Sequence, residues 1–312
     1  MNSSEQPFVF DYKKNDNWLF NISIKRPITK VGNYPIKEKI FDLETAYGYG
    51  GICTNSRDEK FISKALTQYR HKCISENIVA EFFRFHPFNV FPINHPDIFD
   101  FISKDRPTIF IDLNQSYENI FKNFKSALRR NIRKANKNNL VFKEMEKTGE
   151  NIEAFRKLYY LTMKKNRADK FYFFSDEYFR ELLNKDYARL FGVYYGGHLT
   201  NAGIFLFSPP FIYYHLGASD PKYYTLNGNP LLFSEICRLF SFQYGILYLG
   251  GGNSSNPKDS LYQFKRKFSD KINYFYIGGI IYNNEKYNEL LDLWEQQNPD
   301  DDRVYFLKYR LE

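Results

Sequence analysis

Three segments near the middle of the chain, "ARLFGVYYGG", "LTNAGIFLFS" and "FIYYHLGAS", are rich in aromatic and β-branched residues. Only Gly196-Gly197 and Ser208-Pro209-Pro210 separate them. Connections that short and that rich in turn residues allow only hairpins, so the three segments form an antiparallel set. The next strand signal, "GILYLGG", follows a helical stretch and must be reached by a crossover. From "IEAFRKLYYLTMKK" and "DEYFRELLNK" onward the order is helix, helix, strand, strand, strand, helix, strand, helix, strand. That order dictates a mixed sheet with helices laid on it, an α/β (α+β mixed-sheet) chain.

The earlier half carries strand "WLFNISI", loop "AYGYGG", a helix from about Asp58 to Ser75, strand "IVAEFFRFHP" and strand "TIFIDL". A long helix is expected from Ser116 to about Lys137, with Tyr117, Ile120, Phe124, Leu128 and Ile132 as its apolar stripe. The aromatic strand "INYFYIGGIIY" and the helix "KYNELLDLWEQQ" come last. The element order of the second half resembles the GNAT acyltransferase fold, and the first half repeats part of it. Two such units are expected, packed together, because no Pro- or Ser-rich linker divides the chain.

At 312 residues the chain is long enough for two ordinary domains. No run approaches the ~18 unbroken apolar residues of a membrane span, and the first residues lack the basic-then-apolar pattern of a signal peptide. Cys53, Cys73 and Cys237 are scattered singly, with neither zinc spacing nor a disulfide framework. A cytoplasmic setting and no metal are the expectations. Lys and Arg exceed Asp and Glu by 8 (44 against 36), which favours anionic partners.

Three motifs can carry chemistry. In "YTLNGNP", Asn229 can cap a helix, Pro230 suits its first position and Gly245 its end. The free N–H groups of such a loop, here around Asn227 and Gly228, suit a phosphate or a developing oxyanion. With one glycine and bulky Tyr223, Tyr224 and Leu226 beside it, this loop favours a carbonyl or a peptide over a pyrophosphate. The stretch from residue 119 to 139 has no acid and seven bases: Lys122, Lys125, Arg129, Arg130, Arg133, Lys134 and Lys137. Without acids at i±4 these repel one another, a cost that a bound polyanion such as RNA offsets. A solvated helix face is the plainer reading.

"LYQFKRKF" puts Leu261, Phe264 and Phe268 on one helical stripe, and the i+4 slot of that stripe is Lys265. Arg266 and Lys267 fall off it and can point to water. Lys265 is either a snorkelling core lysine or a cation held against a carbonyl oxygen in a partly desolvated cleft. Tyr262 can share such a site as a phenol donor. His86 and His215 are the other candidates, each more often structural than catalytic.

"AYGYGG", "FRFHP", "SALRRNIRKA", "YHLGASDPKYYTLNGNPLL", "YLGGG" and "DSLYQFKRKF" occur in the order seen in the FemABX family. The chain resembles that family from about Tyr47 to Ile277, most specifically in the last two motifs. The resemblance implies two GNAT-like domains, at 1–106 rejoined by 277–312 and at 107–276, without a long coiled-coil arm. It also implies transfer of an amino acid from aminoacyl-tRNA to an amine of a peptidoglycan-type precursor, with peripheral contact with the inner membrane surface. By the same resemblance Lys265 stabilises the transition state and Tyr223 and Tyr224 line its channel. Arg167, or Lys170, meets substrate phosphates, and His86 stands where the family can carry an aspartate. An acyl-CoA donor with an amino sugar or peptide acceptor is the second enzymatic reading. A nucleic-acid binder on a degenerate scaffold is the third, and the intact "LYQFKRKF" motif argues against it.

Overall fold

The computed structural model describes residues 5–311. It divides into two compact units, Met1–Arg106 with Tyr274–Glu312, and Pro107–Asn273.

The chain opens with β1 (Gln6–Lys14) and β2 (Asn17–Pro27), then β3 (Lys30–Val31), β4 (Tyr34–Pro35), β5 (Phe41–Glu44) and β6 (Cys53–Thr54). Helix α1 (Glu59–Ser75), β7 (Ile78–Arg84), α2 (Phe91–Asn94) and β8 (Phe101–Asp112) follow. Next come α3 (Tyr117–Asn123), α4 (Ser126–Lys137), β9 (Val141–Met145), α5 (Gly149–Lys165) and α6 (Asp176–Leu183). Strands β10 (Ala188–Tyr195), β11 (His198–Ser208) and β12 (Phe211–Ser219) lead to α7 (Gly228–Phe240) and β13 (Ile246–Gly250). Helix α8 (Ser260–Lys265), β14 (Ile272–Ile281) and α9 (Asn284–Gln297) complete the order.

In the first unit the strands run β1-β2-β5-β7-β14, antiparallel except for the parallel β5–β7 pair. Strand β7 sends Ile78 and Phe83 to a core shared with Phe61, Ala65 and Tyr69 of α1. Its Val79 and Phe82 join Tyr287, Leu290 and Trp294 of α9 in a second core. A strand buried on both faces reads as a continuous apolar run, as "IVAEFF" does. The helix foreseen from Asp58 begins with that aspartate as cap, its carboxylate accepting from the Lys60 N–H at 2.9 Å.

In the second unit the order is β8-β13-β12-β11-β10-β9. The hairpins are those expected: Tyr195 pairs with His198 around Gly196 and Gly197, whose φ of 53° and 83° suit glycine. Helices α3, α4 and α7 cover one core, with Leu128, Ile132, Leu232 and Ile236; α5 and α6 cover the other, with Phe155 and Phe179. The mixed α/β architecture is as the strand order dictated, with no long helical arm among the described residues.

Four local expectations are corrected. The long basic helix is two: Phe124 and Lys125 are extended, with ψ of 144° at each. Phe124 turns inward onto Phe268, ring centroids 5.4 Å apart, and the Lys125 N–H bonds to the Lys267 carbonyl at 2.9 Å. Those tertiary contacts outbid two more helical residues. Helix α8 stops at Lys265, so Phe268 reaches the core from a turn. Helix α7 ends at Phe240, five residues ahead of Gly245, which instead donates its N–H to the Pro210 carbonyl at 2.9 Å. Its cap position is Asn227 at φ 64°, not Asn229, because the Asn229 side chain is spent on Ser219 and Asn201.

Candidate active site

Strands β12 and β13 run parallel but pair at only three positions, Phe211–Ile246, Ile212–Leu247 and Tyr213–Tyr248. Beyond them the two strands part. On β12 the first residue past the last pair is Tyr214; on the β13 side the chain runs into Gly250, Gly251 and Gly252. Lys265 is directed at this opening.

Its placement follows from local sequence. Asp259 caps α8 by accepting from the Tyr262 N–H at 2.9 Å. A Cβ at residue 252 would lie 2.4 Å from the Asp259 Oδ1, so the capping carboxylate needs glycine there. Gly250 has φ of 77° and lets Lys265 Nζ approach to 3.5 Å of where its Cβ would be. The ammonium donates to the Gly251 carbonyl at 2.7 Å. Lys265 is 6% exposed and makes no ion pair among the described residues. Burial drives its pKa from the ordinary 10.5 down to about 7, with the charge of Asp259 acting the other way.

Tyr214 forms the facing wall, its ring centroid 6.0 Å from Lys265 Nζ. Burial raises its phenol above the ordinary range. The ring packs edge-on against Phe233 at 4.7 Å, and its hydroxyl lies over Gly217, where any Cβ would be 1.5 Å away. Sequence alone points to His215 rather than its neighbour Tyr214. A bulge shifts the register between Ile204 and Phe205, leaving His215 as the extra residue opposite them. Nothing in the local pattern announces that bulge. His215 meets the Tyr178 hydroxyl at 2.8 Å, and burial lowers its pKa to about 4.

A cavity of about 330 Å³ opens beside the start of α7. Its lining includes Asn131 of α4, Asn201 of β11, Tyr224, Gly228, Phe264 and Lys267. The floor is tied by amides: Asn201 Nδ2 donates to Ser219 Oγ and to Asn229 Oδ1, each at 3.0 Å, and Asn229 Nδ2 donates to Ser219 Oγ at 2.9 Å. A Cβ at 228 would sit 1.8 Å from Asn201 Oδ1, so glycine is required where the helix opens. Asn201 and Lys267 are residues the sequence reading missed. A continued helix points Lys267 to solvent, but ending α8 at Lys265 leaves it lining this cavity beside Phe264.

The remaining residues singled out from sequence disperse. Tyr262 is 9% exposed and packs in the core of the second unit. Tyr224 lines the cavity, with Lys165 Nζ over its ring at 4.0 Å; Tyr223 faces Tyr195 and His198 instead. Asn227 holds the left-handed turn into α7. Arg167 and Lys170 are exposed on the α5–α6 connection and do not line the cavity. Arg129 is committed to structure: its guanidinium donates to the Lys122 carbonyl at 2.7 Å and the Phe124 carbonyl at 2.5 Å, capping α3. Arg130, Arg133 and Lys134 stay exposed, Arg133 resting over the Phe121 ring at 5.5 Å. His86 belongs to the first unit; its Nδ1 accepts from the Phe88 N–H at 3.2 Å, and burial lowers its pKa to about 4.

Residues 122–266 match the acetyltransferase (GNAT) domain family. No curated protein sequence matches the chain significantly. Among solved structures, FemX is 12% identical with a TM-score of 0.72, covering 92% of this chain and 90% of its own. L-PGS from Bacillus licheniformis is 14% identical with a TM-score of 0.58, covering 90% and 85%. The C-terminal domain of a putative lysylphosphatidylglycerol synthetase from Agrobacterium fabrum is 13% identical with a TM-score of 0.56, covering 93% and 88%. Identities this low speak for shared fold alone. No helix among the described residues is long and apolar enough to cross a membrane. The second unit thus carries a stretch similar to a GNAT acetyltransferase domain, and the chain shares the fold of FemX over most of its length.

Proposed function

We propose that the chain forms an amide bond on an amine of a cell-envelope component, a peptidoglycan-type precursor, taking the acyl group from aminoacyl-tRNA. One observation carries the reading: a buried lysine without a carboxylate ion-pair partner among the described residues, aimed into the gap where β12 and β13 part. An ammonium desolvated for no structural return is suited to charge that appears only during reaction.

The amine attacks the acyl carbonyl, the new C–N bond forms, and the carbonyl oxygen gathers negative charge. Lys265 donates to that oxygen, a role that strengthens as the charge grows and as water is excluded. The ester bond to the tRNA then breaks and the 3′-terminal hydroxyl leaves with a proton. The proton from the amine passes to water, since His86 is a weak base with one ring nitrogen already engaged. The open cations Arg130, Arg133 and Lys134 support an RNA donor, and the structural kinship with FemX and a putative lysylphosphatidylglycerol synthetase supports an envelope acceptor.

The match to an acetyltransferase domain favours a second reading, in which acyl-CoA is the donor and thiolate the leaving group. The start of α7 argues against it: Pro230 removes a donor, and Gly228 is backed by the Asn201 amide. Incubation with charged tRNA or with acetyl-CoA, each beside candidate amines, decides between them by which donor is consumed. Consumption of neither overturns both. A low-micromolar dissociation constant for acetyl-CoA would promote the second reading.

A further inference from the structure

The first unit holds a cavity of about 580 Å³ beside α1. Its base is formed by Tyr69 of α1 and Tyr282 just beyond β14. Both phenols turn away from the cavity and donate to one oxygen of Glu81, at 2.6 and 2.8 Å. The other carboxylate oxygen accepts from Asn21 at 2.8 Å and Ser23 at 2.5 Å. Glu81 is fully buried, so this four-donor knot fixes both rings and leaves the base apolar and preformed. Ile62 and Leu66 extend the apolar lining up the side of α1.

Three charged side chains and one imidazole line the same cavity: Glu59, Arg70, Asp97 and His95. Glu59 and His95 face each other at 3.7 Å. Among the described residues Arg70 donates to the Ile281 carbonyl at 3.3 Å and lies 5.8 Å from the Tyr282 ring centroid. Neither Arg70 nor Asp97 has an ion-pair partner among the described residues, and they do not pair with each other. Apart from the Glu59–His95 contact, the lining therefore carries one cation and one anion without an ion-pair partner among the described residues, at the edge of an apolar base.

We propose that this cavity binds a small zwitterion with an apolar body, a free amino acid or dipeptide whose carboxylate meets Arg70 and whose ammonium meets Asp97. An anion alone would be repelled by Asp97, and a cation alone by Arg70. A neutral apolar ligand would desolvate both charges without pairing either. The volume suits a ligand of dipeptide size, within the range of about 300–1,000 Å³ usual for small-molecule sites. The site is independent of the transferase reading.

Calorimetric titration of the full chain with L-leucine and L-leucyl-L-leucine, their C-terminal amides and their N-acetyl forms tests this without turnover. At least one zwitterion should bind with a Kd below about 1 mM, and its amide and N-acetyl forms at least about tenfold more weakly. Arg70→Gln should erase the preference over the amide, and Asp97→Asn the preference over the N-acetyl form. Both positions are exposed, and thermal melts confirm that the variants fold. No binding of either zwitterion up to about 10 mM, equal binding of the blocked forms, or affinities indifferent to both substitutions would each overturn the assignment.

Discussion

The Lys265 ammonium donates to the Gly251 carbonyl at 2.7 Å, and that carbonyl lies in a run of three glycines that brings backbone where side chains would stand. A single neutral acceptor does not compensate a buried cation. The pair therefore holds a charge in place without neutralising it.

Replacing Lys265 with Met keeps the stem's packing and deletes the charge. Transferase turnover should fall by roughly 10²–10³, the usual cost of an oxyanion donor. Single-turnover assay of the transfer measures it, and near-normal rates would mark Lys265 as a core lysine only.

The same substitution has a pH signature. In the folded chain the lysine titrates near 7, against an ordinary 10.5 when unfolded. The folded pKa is the lower one, so the unfolded chain binds more protons between those values and stability rises with pH across that window. The penalty of burying the ammonium is complete below about pH 7 and gone above about 10.5. Lys265→Met should thus stabilise the chain most at pH 6 and least near pH 10, by at most about 5 kcal/mol for a shift of this size. Chemical denaturation of both chains across that range gives the difference. Activity that depends on the ammonium should likewise decline as pH rises through 7.

Gly217→Ala drives a methyl into the Tyr214 hydroxyl. The expected loss is about 1–3 kcal/mol, as in other overpacked sites. Adding Tyr214→Phe should return part of it, because the worst contact is with the hydroxyl oxygen. Urea midpoints of the single and double variants report this; additive losses would show that the ring is not the obstacle.

The basic helix should divide by role. Arg130, Arg133 and Lys134 changed together to Gln should weaken tRNA binding and reduce the slope of log K against log salt by about 2–3, with the melting temperature unchanged. Arg129→Gln should lower the melting temperature, because it strips the cap from α3. Filter binding at several salt concentrations, beside thermal melts, separates the two. An unchanged salt slope in the triple variant would leave that face merely solvated.

Much of the fold was legible in local sequence. Aromatic and β-branched content and the Gly196-Gly197 turn mark the hairpin strands, and Asp58 announces its helix, because strand propensity, turn chemistry and capping act over a few residues. The spacing of Leu261, Phe264 and Phe268 likewise places Lys265 among apolar neighbours. What the chain could not declare locally was set by partners far away in sequence. Phe268 and Lys267 break the basic helix at Phe124–Lys125, and Ser219 takes Asn229 from its capping role. A register shift against β11 selects Tyr214 over His215 to face Lys265. Each of these is a competition between a local preference worth under about 1–2 kcal/mol and a buried contact or hydrogen bond of equal or larger size. Only the assembled sheet and its helices bring the second competitor into range, so tertiary structure decided them.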